Sequence, residues 1–174
     1  MIAAQIDERD AAIVSNLIRG LEVLQVGCWQ GHDTAALARS AALVVTIGQR
    51  PGLDHAGFRD QVSMWAVIQR FYAVSDRTLI LPGAVPEVIG GFTAGQFQAA
   101  VIDMNALGTA DPGQMITLVR MVAEKVIIIP AGFAQMATYA AGMAGIGYTI
   151  EQCGRVWIFD PAPAPAGDES KGQD

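Results

Sequence analysis

Hydrophobic and polar residues follow two different patterns along this chain, and each pattern predicts its own kind of element. Short runs that are apolar at nearly every position are typical of strands buried on both faces of a sheet. Runs of this kind occur at 21–26, 43–47, 78–81, 98–102 and 126–129. They predict strands with little exposed surface.

The segments between these runs have helical character, with apolar residues spaced three or four apart or with a small-residue composition. They predict helices over 6–18, 34–40, 58–72, 86–89, 112–124 and 133–143. Gly20 suits the end of the first helix, while Asp111 and Pro112 suit the cap and first position of the fifth. Since strands that alternate with helices form a parallel sheet with right-handed crossovers, helices are expected on both faces.

The last part of the chain has a different pattern. The segments 147–152 and 156–159 are apolar and are separated only by Cys153, Gly154 and Arg155, which is too short a connection for parallel strands. The predicted fold is therefore α/β: a doubly wound, Rossmann-like, mostly parallel seven-stranded sheet with a C-terminal antiparallel hairpin. Residues 1–160 are expected to form a single domain, and the Pro/Ala-rich and then polar segment 161–174 a disordered tail.

Composition and charge exclude some classes of function for this chain. The chain has 174 residues, a net charge of −6 and no basic run, so the electrostatic footprint of a nucleic-acid partner is missing. Its 52% hydrophobic residues suggest an apolar face shared between subunits, and a homodimer is one expectation. Cys28 and Cys153 follow no metal-ligand spacing and are expected to be reduced thiols.

No targeting signal in the sequence indicates a membrane partner. The N-terminal residues include acids where a signal peptide would be basic and apolar, so a cytoplasmic location is expected. The segment 126–150 carries no charged residue and is long enough to span a bilayer, but Pro130 and several glycines divide it. A strand followed by a small-residue helix fits this segment better.

The segment 21–38, LEVLQVGCWQGHDTAALA, contains the clearest candidate for a binding site. A strand leads into a turn with Gly27 and Gly31, and a helix follows. Gly27 permits a sharp turn and close approach of a ligand, and the first N–H groups of the helix point into the same space. The same residues could also form no more than a tight turn. In sheets of this kind ligands bind at the carboxyl ends of the strands, here 27–33, 48–50, 82–84 and 103–105.

Several segments together resemble class I S-adenosylmethionine (SAM)-dependent methyltransferases of the small-molecule O-methyltransferase-like branch. VGCWQGHDTAALA resembles the first motif of that family, and SDRTLILPGAVPEVI is similar to its third strand and the turn that follows. AAVIDM resembles the fourth strand with its terminal acid, and GYTIEQCGRVWIF the last two strands. The resemblance extends over residues 6–159. It implies SAM as the cofactor and a small molecule as the substrate.

The resemblance also implies which residues bind the cofactor. They are Gly27, Cys28, Trp29 and Gly31 along the methionine and ribose, Gly48 and Gln49 after the second strand, Gly83 and Ala84 near the adenine, and Asp103 and Met104 at the end of the fourth strand. No catalytic residue is assigned. Trp29 could cover the cofactor or pack under the turn. His32 could act as a general base or be a bystander, and Asp33 suits a helix cap.

Some positions depart from the family pattern. Gln25 stands where an acid commonly precedes the first glycine, and the neutral Gln49 follows the second strand where an acid usually binds the ribose. Ala84 cannot bind adenine through its side chain. Ala106 and Pro130 occupy positions where metal-using relatives carry ligands, so no catalytic metal is expected.

These departures motivate a second hypothesis: a non-catalytic, methyltransferase-like binding or assembly module with a degenerate cofactor site. A nicotinamide-binding domain fits less well, because the turn reads G-x-x-x-G rather than G-x-G-x-x-G and the chain closes with a hairpin.

Overall fold

The computed structural model describes residues 6–27, 32–48, 73–74, 76–82, 85–104, 112–130 and 133–162. The strands in these ranges are β1 (Glu22–Val26), β2 (Leu43–Gly48), β3 (Thr78–Pro82), β4 (Phe97–Asp103), β5 (Ala123–Ile129), β6 (Tyr148–Cys153) and β7 (Val156–Pro161). The helices there are α1 (Glu8–Leu17), α2 (His32–Ala38), α3 (Val85–Ile89), α4 (Pro112–Arg120) and α5 (Phe133–Gly145). The helix predicted over 58–72 lies outside the described residues.

All seven strands belong to one sheet, in the order β3-β2-β1-β4-β5-β7-β6. Strands β1 to β5 pair with one another in parallel, and β7 is antiparallel to both β5 and β6. The predicted parallel sheet with a terminal antiparallel hairpin is thereby confirmed. The chain moves outward from β1 through β2 to β3 and then returns to β4 on the other side of β1. The strand order therefore reverses between β1 and β4.

Apolar residues cover the sheet on both sides, which explains why the parallel strands have almost no polar positions. Along β1, Val23 packs with the helices α1 and α2, whereas Leu24 and Val26 pack with α3, α4 and α5. We call these two sides the α1/α2 face and the α3–α5 face. Because side chains alternate along a strand, this assignment fixes the side on which each neighbouring residue lies.

The two ends of α1 are defined by local hydrogen bonds. Asp7 caps the helix, its carboxylate accepting the backbone N–H of Asp10 at 2.8 Å, so α1 begins at Glu8 rather than at the predicted Ile6. Beyond the helix, Gly20 has a φ of +75°, the left-handed conformation typical of a C-terminal glycine.

The predicted helix over 112–124 is too long. Helix α4 ends at Arg120, and Ala123 and Glu124 already belong to β5. The N–H of Phe97 donates to the carbonyl of Val122 at 3.0 Å, and Phe97 lies opposite Ala123 in the β4–β5 register. Pairing with β4 overrides the helical propensity of this segment, because its backbone groups find partners in the sheet.

The connections after β5 follow the sequence pattern closely. The segment 126–150 divides into most of β5, the helix α5 and the start of β6. In the described part of the chain, no helix has both the length and the hydropathy that a membrane crossing requires. Strand β7 extends to Pro161, and the N–H of Ala162 donates to the carbonyl of Gly147 at 2.8 Å, so the first residues of the predicted tail are ordered. Residues 163–174 lie outside the described ranges.

Candidate functional site

The carboxyl ends of β1, β2 and β4 lie level with one another at one edge of the sheet. Val26 of β1 is opposite Ile47 of β2 on one side and Ile102 of β4 on the other. The chain leaves β1 and β4 in opposite directions along the sheet, and in open α/β sheets such a reversal marks the crevice in which ligands bind.

Gly27 is the first residue after β1 at this edge. Its φ is +88°, and its N–H donates to the carbonyl of Ile47 at 3.4 Å. A residue with a side chain would be strained in this left-handed conformation, so the glycine is required by the backbone itself. Gly27 thus leaves β1 in a conformation that needs glycine and is hydrogen-bonded to β2, while residues 28–31 of the predicted turn lie outside the described residues.

Asp103 ends β4 beside this turn. It is only 1% exposed, and alternation along β4 places it on the α1/α2 face, since Val101 also packs there. A carboxylate buried at the position where open α/β sheets bind their ligands is a functional candidate. Met104 follows, with its N–H donating to the carbonyl of Ile129 at 3.0 Å and its side chain largely buried.

Arg155 brings a positive charge to the same edge. It lies in the β6–β7 turn, which reaches the carboxyl edge because β7 runs antiparallel to β5. Its Nε donates to Asp10 Oδ2 at 2.9 Å, and its Nη2 lies 2.8 Å from the same oxygen. The Asp10 side chain is 2% exposed, whereas that of Arg155 is 57% exposed. The pair therefore connects the N-terminal turn of α1 to the hairpin across the sheet edge.

Nearby carboxylates affect the ionisation of the Arg155 guanidinium. The hydrogen bond to Asp10 raises the pKa of Arg155 above its already high ordinary value, and the charges of Asp10, Asp7 and Asp103 act in the same direction against the opposing effect of burial. The pKa of Asp7 is lowered, first because its carboxylate accepts the backbone N–H of Asp10, and also because Arg155 is near. Arg155 is thus a permanent cation among acids from α1 and β4.

The β6–β7 turn also packs closely on α1. Gly154 has a φ of +63°, and a Cβ at this position would lie 3.5 Å from Ile13 Cδ1. Cys153 and Val156 pair as the last and first residues of their strands, so the connection is the two-residue turn Gly154–Arg155 rather than three residues. The conformation of this turn favours glycine and holds Arg155 over the start of α1.

Neither Asp10 nor Arg155 stands out in the sequence as a site residue. An arginine in a hairpin turn and an acid in the first turn of a helix both look like surface charges. One signal was present: Asp10 is four residues from Ile6 and from Val14, and therefore lies on the apolar side of the helix. An acid in that position must find a partner when the helix packs.

The structure brings three of the residues implied by the resemblance to this edge. Gly27, Asp103 and Met104 lie together at the ends of β1 and β4, and Gly48 ends β2 opposite Pro82 of β3. The other residues implied by the resemblance lie outside the described residues: Cys28, Trp29, Gly31, Gln49, Gly83 and Ala84. His32 begins α2, and Asp33 is buried in its first turn.

Comparison with models of protein families finds no match, and comparison with curated protein sequences finds none either. Solved structures do match. The precorrin 8W decarboxylase of Methanobacterium thermoautotrophicum superposes with a TM-score of 0.66 at 12% identity, covering 92% of this chain and 94% of that one.

Two other similar structures are methyltransferases. One is the precorrin-6y C5,15-methyltransferase of Geobacter metallireducens, with a TM-score of 0.66, 8% identity and coverage of 91% of this chain and 90% of that one. The other is the O-methyltransferase TomG of Streptomyces achromogenes, solved in complex with SAM, with a TM-score of 0.65, 13% identity and coverage of 90% and 82%. At these identities the similarity establishes the fold. The chain has the fold of the class I SAM-dependent methyltransferases, and the resemblance of its motifs is confirmed at that level.

Proposed function

We propose that this protein is a SAM-dependent methyltransferase that acts on a small molecule. The observation that carries the proposal is the juxtaposition of Gly27 and Asp103 at the point where the strand order reverses. The left-handed glycine leaves the backbone open to a ligand on one side of the crevice, and the buried carboxylate lies on the other.

The chemistry of these two residues fits the cofactor. SAM carries hydrogen-bond donors and positive charge, which suit a buried carboxylate, and its extended shape suits a turn with no side chain. Among the described residues, Gly27, Asp103 and Met104 would hold it. Cys28, Trp29, Gly31, Gly48, Gln49, Gly83 and Ala84 are added only by the resemblance. When bound, SAM supplies an electrophilic methyl group on a sulfonium.

The residues of the chain would contribute mainly by position. Methyl transfer is an in-line displacement, so holding the two reactants in line and keeping water away can supply much of the rate without an acid or base. The Asp103 carboxylate would orient the ligand, and Met104 would present an apolar surface beside it. The absence of an assigned general base is therefore compatible with turnover.

The proposal of a small-molecule substrate rests on two considerations. The motif VGCWQGHDTAALA resembles the small-molecule O-methyltransferase-like branch, and the sequence has no basic run to attract nucleic acid. A similar structure, TomG, is an O-methyltransferase involved in tomaymycin synthesis. Homodimer formation and a cytoplasmic location remain proposals of the same kind.

Calorimetry and thermal shift with SAM and with S-adenosylhomocysteine test the proposal. Ligand at about 100 times its dissociation constant should stabilise the protein by about 2.7 kcal/mol. The variant Gly27→Ala should lose this stabilisation. Its matched control is Gly95→Ala, because Gly95 also has a positive φ, +65°, and lies in open space before β4 at the opposite end of that strand. Both variants place an alanine at a positive φ, and only the first changes the proposed site.

Two results would count against the proposal. If neither ligand produces heat or a thermal shift at millimolar concentration, SAM binding is excluded and the hypothesis of a non-catalytic assembly module is favoured instead. If Gly95→Ala weakens binding as much as Gly27→Ala, the cofactor does not lie against the glycine turn.

A further inference from the structure

Two buried polar side chains face each other across β1 and β2, just below the candidate site. Gln25 and Thr46 are directly opposite in the parallel register, and both are 0% exposed. The amide oxygen and nitrogen of Gln25 and the hydroxyl of Thr46 have no hydrogen-bond partner among the described residues. The two side chains are therefore neighbours that do not satisfy one another.

A third buried polar side chain belongs to the helix that packs on the same face of the sheet. Alternation places Gln25 and Thr46 on the α1/α2 face, because Val23 and Val44 pack there. Thr34 of α2 is three and four residues before Leu37 and Ala38, which pack on the same face, so Thr34 points toward the sheet as well. Its hydroxyl is also buried without a partner among the described residues.

The unpaired atoms are costly to leave unsatisfied. A buried donor or acceptor without a partner forfeits the hydrogen bonds that it makes with water in the unfolded chain. Folded proteins meet this cost with internal water molecules, about one per 27 residues, each making about three hydrogen bonds to buried polar groups. Gln25 offers donors and an acceptor, and each threonine hydroxyl offers both functions.

The chemistry of the cluster selects its ligand. Gln25, Thr34 and Thr46 are themselves uncharged, so these three side chains offer only neutral donors and acceptors. A water molecule donates and accepts in equal numbers and matches a set of amide and hydroxyl groups.

We propose that Gln25, Thr34 and Thr46 enclose an internal hydration site that connects β1, β2 and the first turn of α2. Water bound there supports the start of the glycine turn from below, since Gln25 is two residues before Gly27. The proposal is independent of the cofactor. It applies equally if the turn binds SAM or binds nothing.

Nuclear magnetic resonance tests the site directly in the intact protein. The side-chain amide protons of Gln25, assigned by their loss in the variant Gln25→Met, should show cross-peaks to water of opposite sign in laboratory-frame and rotating-frame Overhauser spectra. Such a pair of signals identifies a long-lived bound water molecule. If the Gln25 amide is protected and shows no cross-peak to water, the proposal is overturned.

The variant Thr46→Val adds a test whose two outcomes differ in sign. If Thr46 binds the internal water, removing its hydroxyl should raise the unfolding equilibrium constant by roughly tenfold, as loss of a buried hydrogen bond does. If the hydroxyl is unpaired, valine removes a buried polar group and the constant should fall. The control is Thr149→Val on the exposed strand β6, where the hydroxyl donates to the carbonyl of Asp160 at 3.3 Å, so this variant measures strand propensity together with the loss of one exposed hydrogen bond. A constant that falls relative to this control overturns the role of Thr46.

Discussion

Replacing Arg155 by methionine should destabilise the protein far more than loss of an ordinary surface arginine. The variant keeps much of the apolar stem of the side chain but removes both contacts to Asp10 Oδ2, at 2.8 and 2.9 Å. Asp10 remains in place with its side chain 2% exposed. The variant therefore leaves a carboxylate buried without its cation.

The size of the expected loss of stability follows from the unequal exposure of Asp10 and Arg155. Removing one partner of a fully buried ion pair costs about 3–5 kcal/mol, whereas an exposed pair contributes about 0–1 kcal/mol. The Arg155 side chain is 57% exposed, so water can partly replace it beside Asp10. We therefore expect a loss of about 2–3 kcal/mol, between the two limits.

Arg77→Met is the matched control. The Arg77 side chain is 52% exposed, close to the exposure of Arg155, and it also pairs with an aspartate, at 3.7 Å. Its partner Asp76, however, is 73% exposed, so this variant should cost less than about 0.5 kcal/mol. The two variants differ mainly in the burial of the acid that each leaves behind.

Urea denaturation at pH 7, followed by circular dichroism, measures the difference. With an m-value of about 1–3 kcal/mol per molar urea, a loss of 2 kcal/mol moves the midpoint by roughly 1 M. The double variant Asp10→Asn/Arg155→Met should recover part of the loss, because it also removes the unpaired charge. If Arg155→Met and Arg77→Met have the same midpoint, burial of Asp10 does not control the energy of this pair, and the reasoning fails.

Three further predictions concern pH, the ligand and the oligomeric state. Because the folded-state pKa of Asp7 is lowered, its contribution to stability is present above the ordinary aspartate pKa and is lost as the pH falls through the folded-state pKa. The variant Asp7→Ser keeps a capping side chain without a charge, so its urea midpoint should fall less between pH 5 and pH 3 than that of the unmodified protein. An unchanged pH dependence of the midpoint would contradict the role given to Asp7. The variant Asp103→Asn should weaken SAM binding by about tenfold in calorimetry, since a hydrogen bond to a charged group is roughly twice as strong as one to a neutral group. Equal affinity would show that Asp103 does not bind the cofactor. Light scattering should detect a dimer if subunits share an apolar face, and a monomer at all concentrations would refute that expectation.

The sequence predicts the sheet well because burial on both faces leaves a clear signal. The run 126–129 is apolar throughout and the run 43–47 is apolar except for Thr46, and only a strand inside a double layer of helices needs that pattern. The boundary between α4 and β5 was harder to predict. Ala123 and Glu124 are good helix formers, and the partner that draws them into the sheet, Phe97 of β4, is remote in sequence.

The candidate site could be predicted only where the backbone determines it. Gly27 was identifiable because a strand, a glycine and a helix in that order require a special conformation, and Asp103 because an acid ends an apolar strand. The pair of Asp10 and Arg155 was not identifiable in the same way, because its partners are 145 positions apart and each has an ordinary local context. Contacts of that kind depend on topology rather than on local pattern.

The pairing of Asp10 with Arg155 has a consequence for the order of events during synthesis. A ribosome adds roughly 5–20 residues per second, so the 145 positions between the partners represent roughly 7–30 s in which Asp10 exists without Arg155. During that interval, packing of α1 against the sheet would bury the Asp10 carboxylate without its cation. The first helix to be synthesised should therefore be among the last to pack stably. Nascent chains arrested before the hairpin should therefore expose α1 to proteases, whereas chains extended beyond it should protect the same helix.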